Sequence, residues 1–346
     1  MNYKELSQLL GISRAQLDRV LNNRANVSET TRKEILAKIE EIGFKPNSVG
    51  KALALQRKMS FGIILSSDLS ATGTHIYSRI HEGMMIAAEQ MQNRGAKFEF
   101  RHLKSGQGQE QAEVIREMVA DGHKAIALSR EDLSDELTEA IDEAMKQGVK
   151  FVYYSNRNAI RNPAPQYAYV LASDNRTEGL MAAKLMDKFL NGNGKVVLIS
   201  GLTKNRIHQA RIDSAQEFIE KNNRSRLSIS AIYRDVYPQQ TARDIAKRIL
   251  QRHPDVNGVI ISCGHSVDMA EILSARSGGG KIRIIAFDFT EKGERCLETN
   301  QLDALIGVDL RKVGYDTIKA IYDFTLGGTV EPLEVMPVIQ IKLSEK

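Results

Sequence analysis

Leu6-Ser7-Gln8-Leu9-Leu10-Gly11-Ile12-Ser13, followed by Arg14-Ala15-Gln16-Leu17-Asp18-Arg19-Val20-Leu21-Asn22, decides how this chain is read. The first eight residues give an apolar helix end, a glycine able to turn, and a serine fit to cap the next helix. In the second stretch Leu17, Val20 and Leu21 fall at helical spacing, while Arg14, Ala15, Gln16 and Arg19 lie off that stripe. One buried stripe with arginine and glutamine outside is the pattern of a helix-turn-helix whose second helix enters a DNA major groove.

A third helix follows. Ser28 is placed to cap it, with Thr31 or Arg32 in its first turn, and Ile35, Ile39 and Ile42 continue an apolar stripe. Gly43 stops it and Pro46 prevents immediate resumption. Asn47–Leu55 reads as a marginal helix, weakened by Gly50, that would order only with DNA and a partner chain present. Charge agrees with this division. Residues 1–60 carry 11 Lys/Arg against 6 Asp/Glu, and the remaining residues carry 37 of each. All of the +5 excess therefore lies where phosphate would be met.

Beyond Ser60 short apolar runs alternate with amphipathic stretches. Phe61–Leu65, Lys97–His102, Lys124–Leu128 and Val149–Tyr154 read as strands between helices, and the pattern restarts after the loop containing Asn162-Pro163-Ala164-Pro165. The fold class expected is α/β: the three-helix head and hinge, then two doubly wound parallel-sheet lobes, with a pocket in the cleft between them. The divisions are 1–45 for the head, 46–59 for hinge and linker, and 60–346 for the two-lobed core, to which the family resemblance drawn below adds effector binding and dimerisation. Cys263 and Cys296 have no metal or disulfide spacing, the N-terminus is not a signal peptide, and no apolar run approaches 18 residues. These features point to a cytoplasmic protein with no membrane partner.

With these residues in view, the chain resembles the lactose-repressor (LacI) family of transcription factors. The likeness rests on Leu9-Leu10-Gly11-Ile12-Ser13, Val20-Leu21-Asn22, Val27-Ser28, Thr31-Arg32, Ile42-Gly43-Phe44, Pro46-Asn47 and Ala52-Leu53-Ala54. The core resembles ribose-binding-type proteins through Ser173-Asp174-Asn175, Ile285-Ala286-Phe287-Asp288 and Gly307-Val308-Asp309 with Gly314-Tyr315. The resemblance implies a homodimer, or a tetramer, on pseudo-palindromic double-stranded operator DNA, switched by a sugar or sugar-derived effector. It places Arg14, Ala15, Gln16 and Arg19 on the recognition helix. Ala15 would meet a thymine methyl, and Arg14 and Arg19 would pair with guanine or grip phosphate. Ser13, Asn22 and Asn26 match backbone-holding positions, and Leu53 matches the hinge leucine wedged into the minor groove.

In the core the resemblance assigns Tyr77, Arg157, Arg211 and Asp288 to the effector, with Arg130 and His265 also facing the cleft. Asp174 reads instead as a helix cap. Gly264-His265 and Asn156 stand where relatives usually carry carboxylates, while Arg130, Arg157 and Arg211 remain, with Arg206 or His208 as further candidates. The expectation is an effector more anionic than a neutral sugar, such as a sugar phosphate or sugar acid.

No catalytic constellation or cofactor motif stands out. Ser277-Gly278-Gly279-Gly280-Lys281 lacks phosphate-loop spacing and reads as a turn. The competing reading is a cytosolic solute-binding or sensor protein whose main role is ligand binding. Whether the effector releases or tightens DNA is left open by the sequence.

Overall fold

The structure is a computed structural model that describes residues 3–21, 27–42, 59–65, 76–92, 95–104, 108–129, 134–154, 167–170, 174–203, 206–237, 239–276, 278, 280–327, 334–335 and 337–345. Asn22, Asn26, Leu53, the hinge segment, Arg130 and Arg157 lie outside the described residues.

The head is helical where the apolar spacing requires it. Helices α1 (Tyr3–Leu9), α2 (Arg14–Leu21) and α3 (Glu29–Glu41) enclose Leu6, Leu17, Val20, Ile35 and Ile39. Gly11 adopts φ +67°, a left-handed turn that costs glycine nothing, and so separates α1 from α2. Ser13 Oγ accepts from the Gln16 amide at 3.1 Å, and Ser28 Oγ accepts from the Thr31 amide at 3.1 Å. Both expected caps are present. Ile42, placed on the buried stripe by its spacing, is exposed beyond the last turn of α3.

The core contains two six-stranded sheets. In chain order it comprises β1 (Met59–Leu65), α4 (Ile76–Gln92), β2 (Ala96–His102), α5 (Gly108–Ala120), β3 (Ala125–Leu128), α6 (Asp135–Lys146), β4 (Lys150–Tyr154) and β5 (Tyr167–Val170). It continues with α7 (Asn175–Phe189), β6 (Asn193–Ser200), α8 (Arg206–Lys221), β7 (Arg226–Tyr233), α9 (Gln239–Arg252), β8 (Gly258–Ser262), α10 (Ser266–Ser274), β9 (Arg283–Phe287), α11 (Glu291–Glu298) and β10 (Ala304–Gly307). Last come α12 (Leu310–Gly327), β11 (Glu334–Val335) and β12 (Gln340–Leu343).

The first sheet runs β11-β5-β4-β3-β1-β2 and the second β12-β10-β9-β8-β6-β7, parallel except for the β10–β12 pair. Successive residues of β1 feed opposite layers: Phe61, Ile63 and Leu65 pack with α4 and α12, and Ile64 packs with α5 and α6. That two-sided burial is why the strands read as unbroken apolar runs.

The lobes are not consecutive halves of the chain, as the restart near residue 167 implied. Strand β5 pairs with β4 in the first sheet, and α12, which follows β10 of the second, returns to pack against α4. Strand β11, too short to register as a sequence pattern, also belongs to the first sheet. The chain therefore passes between the lobes three times, after β5, after β10 and between β11 and β12. No described helix is long and apolar enough to cross a membrane.

Candidate functional site

Three adjacent strands of the second sheet, β6, β8 and β9, end side by side at Ser200, Ser262 and Phe287. The residues that follow them, Gly201, Cys263 and Asp288, form the carboxyl-end wall where open α/β sheets bind ligands. Asp288 holds a left-handed backbone, φ +68°, unusual for a residue with a side chain and a feature that clusters at binding sites. Its amide is anchored to the Ile306 carbonyl at 2.8 Å.

Arg211, in the second turn of α8, reaches this carboxylate with a two-pronged contact, Nη2 to Oδ1 at 2.7 Å and Nη1 to Oδ2 at 3.0 Å. A guanidinium fork matches a carboxylate in this way. Its Nε donates to Glu178 Oε2 at 2.7 Å, and its plane lies over the Phe287 ring, 4.6 Å from the centroid. Glu178 is fully buried on α7, where Asn175 Nδ2 also donates to Oε2 at 3.1 Å. Burial opposes the charge of Arg211, but Asp288 and Glu178 override it and hold the guanidinium firmly protonated.

The helices carrying this cluster touch backbone to backbone. A Cβ on Gly179 would lie 1.9 Å from the Arg211 carbonyl oxygen, so glycine is required for α7 to approach α8. One turn before Arg211, the His208 ring packs on Gly201, where a Cβ would come within 2.3 Å of Nδ1. Burial foremost, then the neighbouring Arg211 charge, lowers the His208 pKa to about 4 against an opposing pull from Asp288. At neutral pH the ring is uncharged.

His265 is buried at the start of α10, with Nδ1 3.5 Å from Asp268 Oδ2 and the Tyr237 ring 6.1 Å away. Its Nε2 has no hydrogen-bond partner among the described residues. Burial pushes the Cys263 thiol up to about 12, against the opposing hydrogen bond from the His265 amide. Tyr77, in the first turn of α4, is half-buried against the first-lobe core.

The sequence-predicted residues are thus only partly assembled. Arg211 and Asp288 meet directly, and His265 lies on the same wall, two residues beyond Cys263 at the end of β8. Arg211 is not an uncommitted receptor for an anion, because two carboxylates already hold it. The expectation of an anionic effector counted Arg211 as free positive charge, but its pairing with Glu178 and Asp288 removes it from that count.

Glu178 is the residue that sequence reasoning missed. Its signal was available: it is a carboxylate on the apolar stripe formed by Gly179, Ala182, Ala183 and Met186, where a charge demands a partner. Asp174 caps α7 as expected, its Oδ1 accepting from the amides of Arg176 and Thr177. Lys281 of the glycine-rich turn binds Asp303 Oδ1 at 2.8 Å, an internal tether.

In the head, Ser13, Arg14, Ala15 and Arg19 are exposed and Gln16 is half-exposed, on the side of α2 away from Leu17 and Val20. Arg32, read only as a helix-start residue, is buried and donates from Nη1 to the carbonyls of Arg19 at 3.1 Å and Val20 at 3.2 Å. It closes the carboxyl end of α2, where positive charge is favoured.

Residues 69–329 match the model of the periplasmic binding protein domain. The D-allose-binding periplasmic protein of Escherichia coli is 22% identical over 239 residues, 67% of this chain and 75% of that protein. The HTH-type transcriptional regulator CelR of Thermobifida fusca is 23% identical over 341 residues, 96% of this chain and 94% of its own, so the likeness includes the head. An ABC-transporter solute-binding protein of Burkholderia graminis, solved with D-arabinose, superposes with a TM-score of 0.70 at 18% identity, covering 84% of this chain and 96% of its own. The chain belongs to the periplasmic binding protein domain family, and over 96% of its length it is similar to a helix-turn-helix transcriptional regulator.

Proposed function

We propose that the protein is a sugar-responsive DNA-binding regulator, a repressor acting in the cytoplasm, that binds a pseudo-palindromic operator as a homodimer. The observation that carries this reading is the Arg211–Asp288 pair on the strand-end wall, in a chain that also presents an exposed recognition-helix face. Paired carboxylate and guanidinium groups suit a polyhydroxyl ligand, since one accepts from and the other donates to sugar hydroxyls. His265, whose buried Nε2 has no hydrogen-bond partner among the described residues, is a further candidate for the effector. Tyr77, Arg130 and Arg157 would complete the site from the first lobe.

On the DNA side, Arg14, Ala15, Gln16 and Arg19 read base edges or phosphates and Ser13 holds the backbone. Asn22, Asn26 and Leu53 take the roles that the resemblance gives them. Met85 and Ile86, exposed on α4, supply apolar surface for a second copy of the chain. The effector acts through its unequal affinity for two lobe arrangements, which the paired heads sense as a change in spacing.

The test is selection of double-stranded DNA by the full-length protein, followed by binding measurements with a panel of sugars. Enrichment of a pseudo-palindrome whose affinity responds to one sugar supports the reading. A protein that binds a sugar but selects no sequence would instead be the solute-binding sensor.

A further inference from the structure

We propose that Glu178 sets the charge class of the effector, making the wall around Arg211 and Asp288 select a neutral polyhydroxyl ligand over its carboxylate or phosphate analogue. This inference rests on the sugar-effector reading above and deepens it.

The cluster consists of one guanidinium between two carboxylates, Glu178 behind it and Asp288 in front. The net charge of these three groups is −1, and Arg130 and Arg157, which follow β3 and β4 of the first sheet in the chain, are not among them. Had Arg211 faced Asp288 alone, the pair would be neutral, and an incoming anion could compete with Asp288 for the fork. Glu178 removes that option in two ways. It fixes the guanidinium through Nε, at 2.7 Å, so the terminal nitrogens point at Asp288. It also adds a buried negative charge about one guanidinium width behind the contact face.

That charge is poorly dissipated. Glu178 is fully buried, Oε2 takes the bonds from Arg211 and Asn175, and Oε1 has no hydrogen-bond partner among the described residues. The uncharged His208 ring beside the cluster contributes no compensating positive charge at neutral pH. Asp288, the member of the cluster with an exposed edge, is an acceptor for hydroxyl protons and repels a second carboxylate. Glu178 is thus a positioning and selectivity residue, acting on the effector through Arg211.

The test uses the full-length protein and matched probes: D-glucose with D-glucuronate and D-glucose 6-phosphate, D-galactose with D-galacturonate, and D-arabinose with D-arabinonate. Calorimetry at pH 7.5 should show the wild type binding the neutral member of its preferred set at least tenfold more tightly than the anionic one. Glu178→Gln keeps an acceptor for Arg211 Nε but removes the charge, and should narrow that ratio about tenfold, as a nearby unit charge in a partly buried site implies. Glu178→Asp keeps the charge and should retain the neutral preference even if overall affinity falls. A purely structural role would weaken both members of a pair together and leave their ratio unchanged.

A wild type that prefers the anionic member overturns the proposal, and does so even if the Gln variant fails to fold. A folded Gln variant with the wild-type ratio also overturns it. Failure of every neutral and anionic sugar to bind would instead strike the sugar-effector reading, and this inference with it.

Discussion

Gly179 and Arg211 share one point of helix contact, since a Cβ on the glycine would stand 1.9 Å from the arginine's carbonyl oxygen and 2.2 Å from Ser214 Oγ. The candidate effector cluster therefore depends on a backbone-to-backbone crossing of α7 and α8. The first lobe repeats the device, because a Cβ on Gly314 would stand 1.9 Å from the Ile80 carbonyl oxygen where α12 meets α4.

Gly179→Ala should cost about 1–3 kcal/mol of stability, the usual range for forcing atoms into a packed interface. It should also weaken sugar binding, because α8 carries Arg211 and must shift. Gly314→Ala should cost a similar amount of stability with a smaller loss of sugar affinity. Denaturant unfolding and calorimetry on both variants check the contrast.

His208 should make the protein acid-sensitive. Its pKa is 6.5 in an unfolded chain and about 4 in the folded one, so the unfolded state binds the proton more readily between those values. Stability that is complete above about pH 6.5 is lost as pH falls toward 4. In His208→Gln the drop in Tm between pH 7.5 and pH 5 should be smaller than in the wild type. Equal drops would mean that His208 is not held neutral.

Arg32→Met removes the two hydrogen bonds that close the end of α2 and should destabilise the head by about 1–3 kcal/mol. Operator affinity should fall without any lost contact to DNA, and the core should melt at its wild-type temperature. Arg14→Ala should behave differently, keeping the head intact while relaxing preference at one base pair by about 1–3 kcal/mol.

Cys263 and Cys296 are both buried, and burial raises both thiol pKa values. Native protein should leave both unmodified by a chromogenic disulfide reagent, and denatured protein should yield two reactive thiols. Fast reaction of either in the native state would contradict the packing at the end of β8 or around α11.

Most of the architecture was legible because it is written in local periodicity. Leu17, Val20 and Leu21 placed α2, Ser13 and Ser28 marked caps, and unbroken apolar runs such as Phe61–Leu65 declared two-sided strands. Topology was less legible. Nothing local in α12 says that it leaves the lobe of β10 to pack on α4 of the first lobe, and two-residue β11 is too short to carry a period. The candidate site was half visible. Asp288 at the end of β9 and Arg211 on the helix after β6 could be named in advance, but their charge environment required Glu178, a partner 33 residues from Arg211 brought in by the Gly179 crossing. Arg32 escaped for the same reason, since its acceptors are backbone carbonyls that sequence spacing does not reveal.

The proposed function rests on one chain converting occupancy of the strand-end wall into operator affinity. The direct measurement is fluorescence anisotropy of a selected pseudo-palindromic duplex, titrated with full-length protein at fixed salt, with and without each sugar of the panel. Nanomolar binding is expected, with at least a tenfold change in affinity with one sugar, abolished by Asp288→Ala. Tight DNA binding that no sugar alters, or a sugar response that survives Asp288→Ala, would contradict the proposed function.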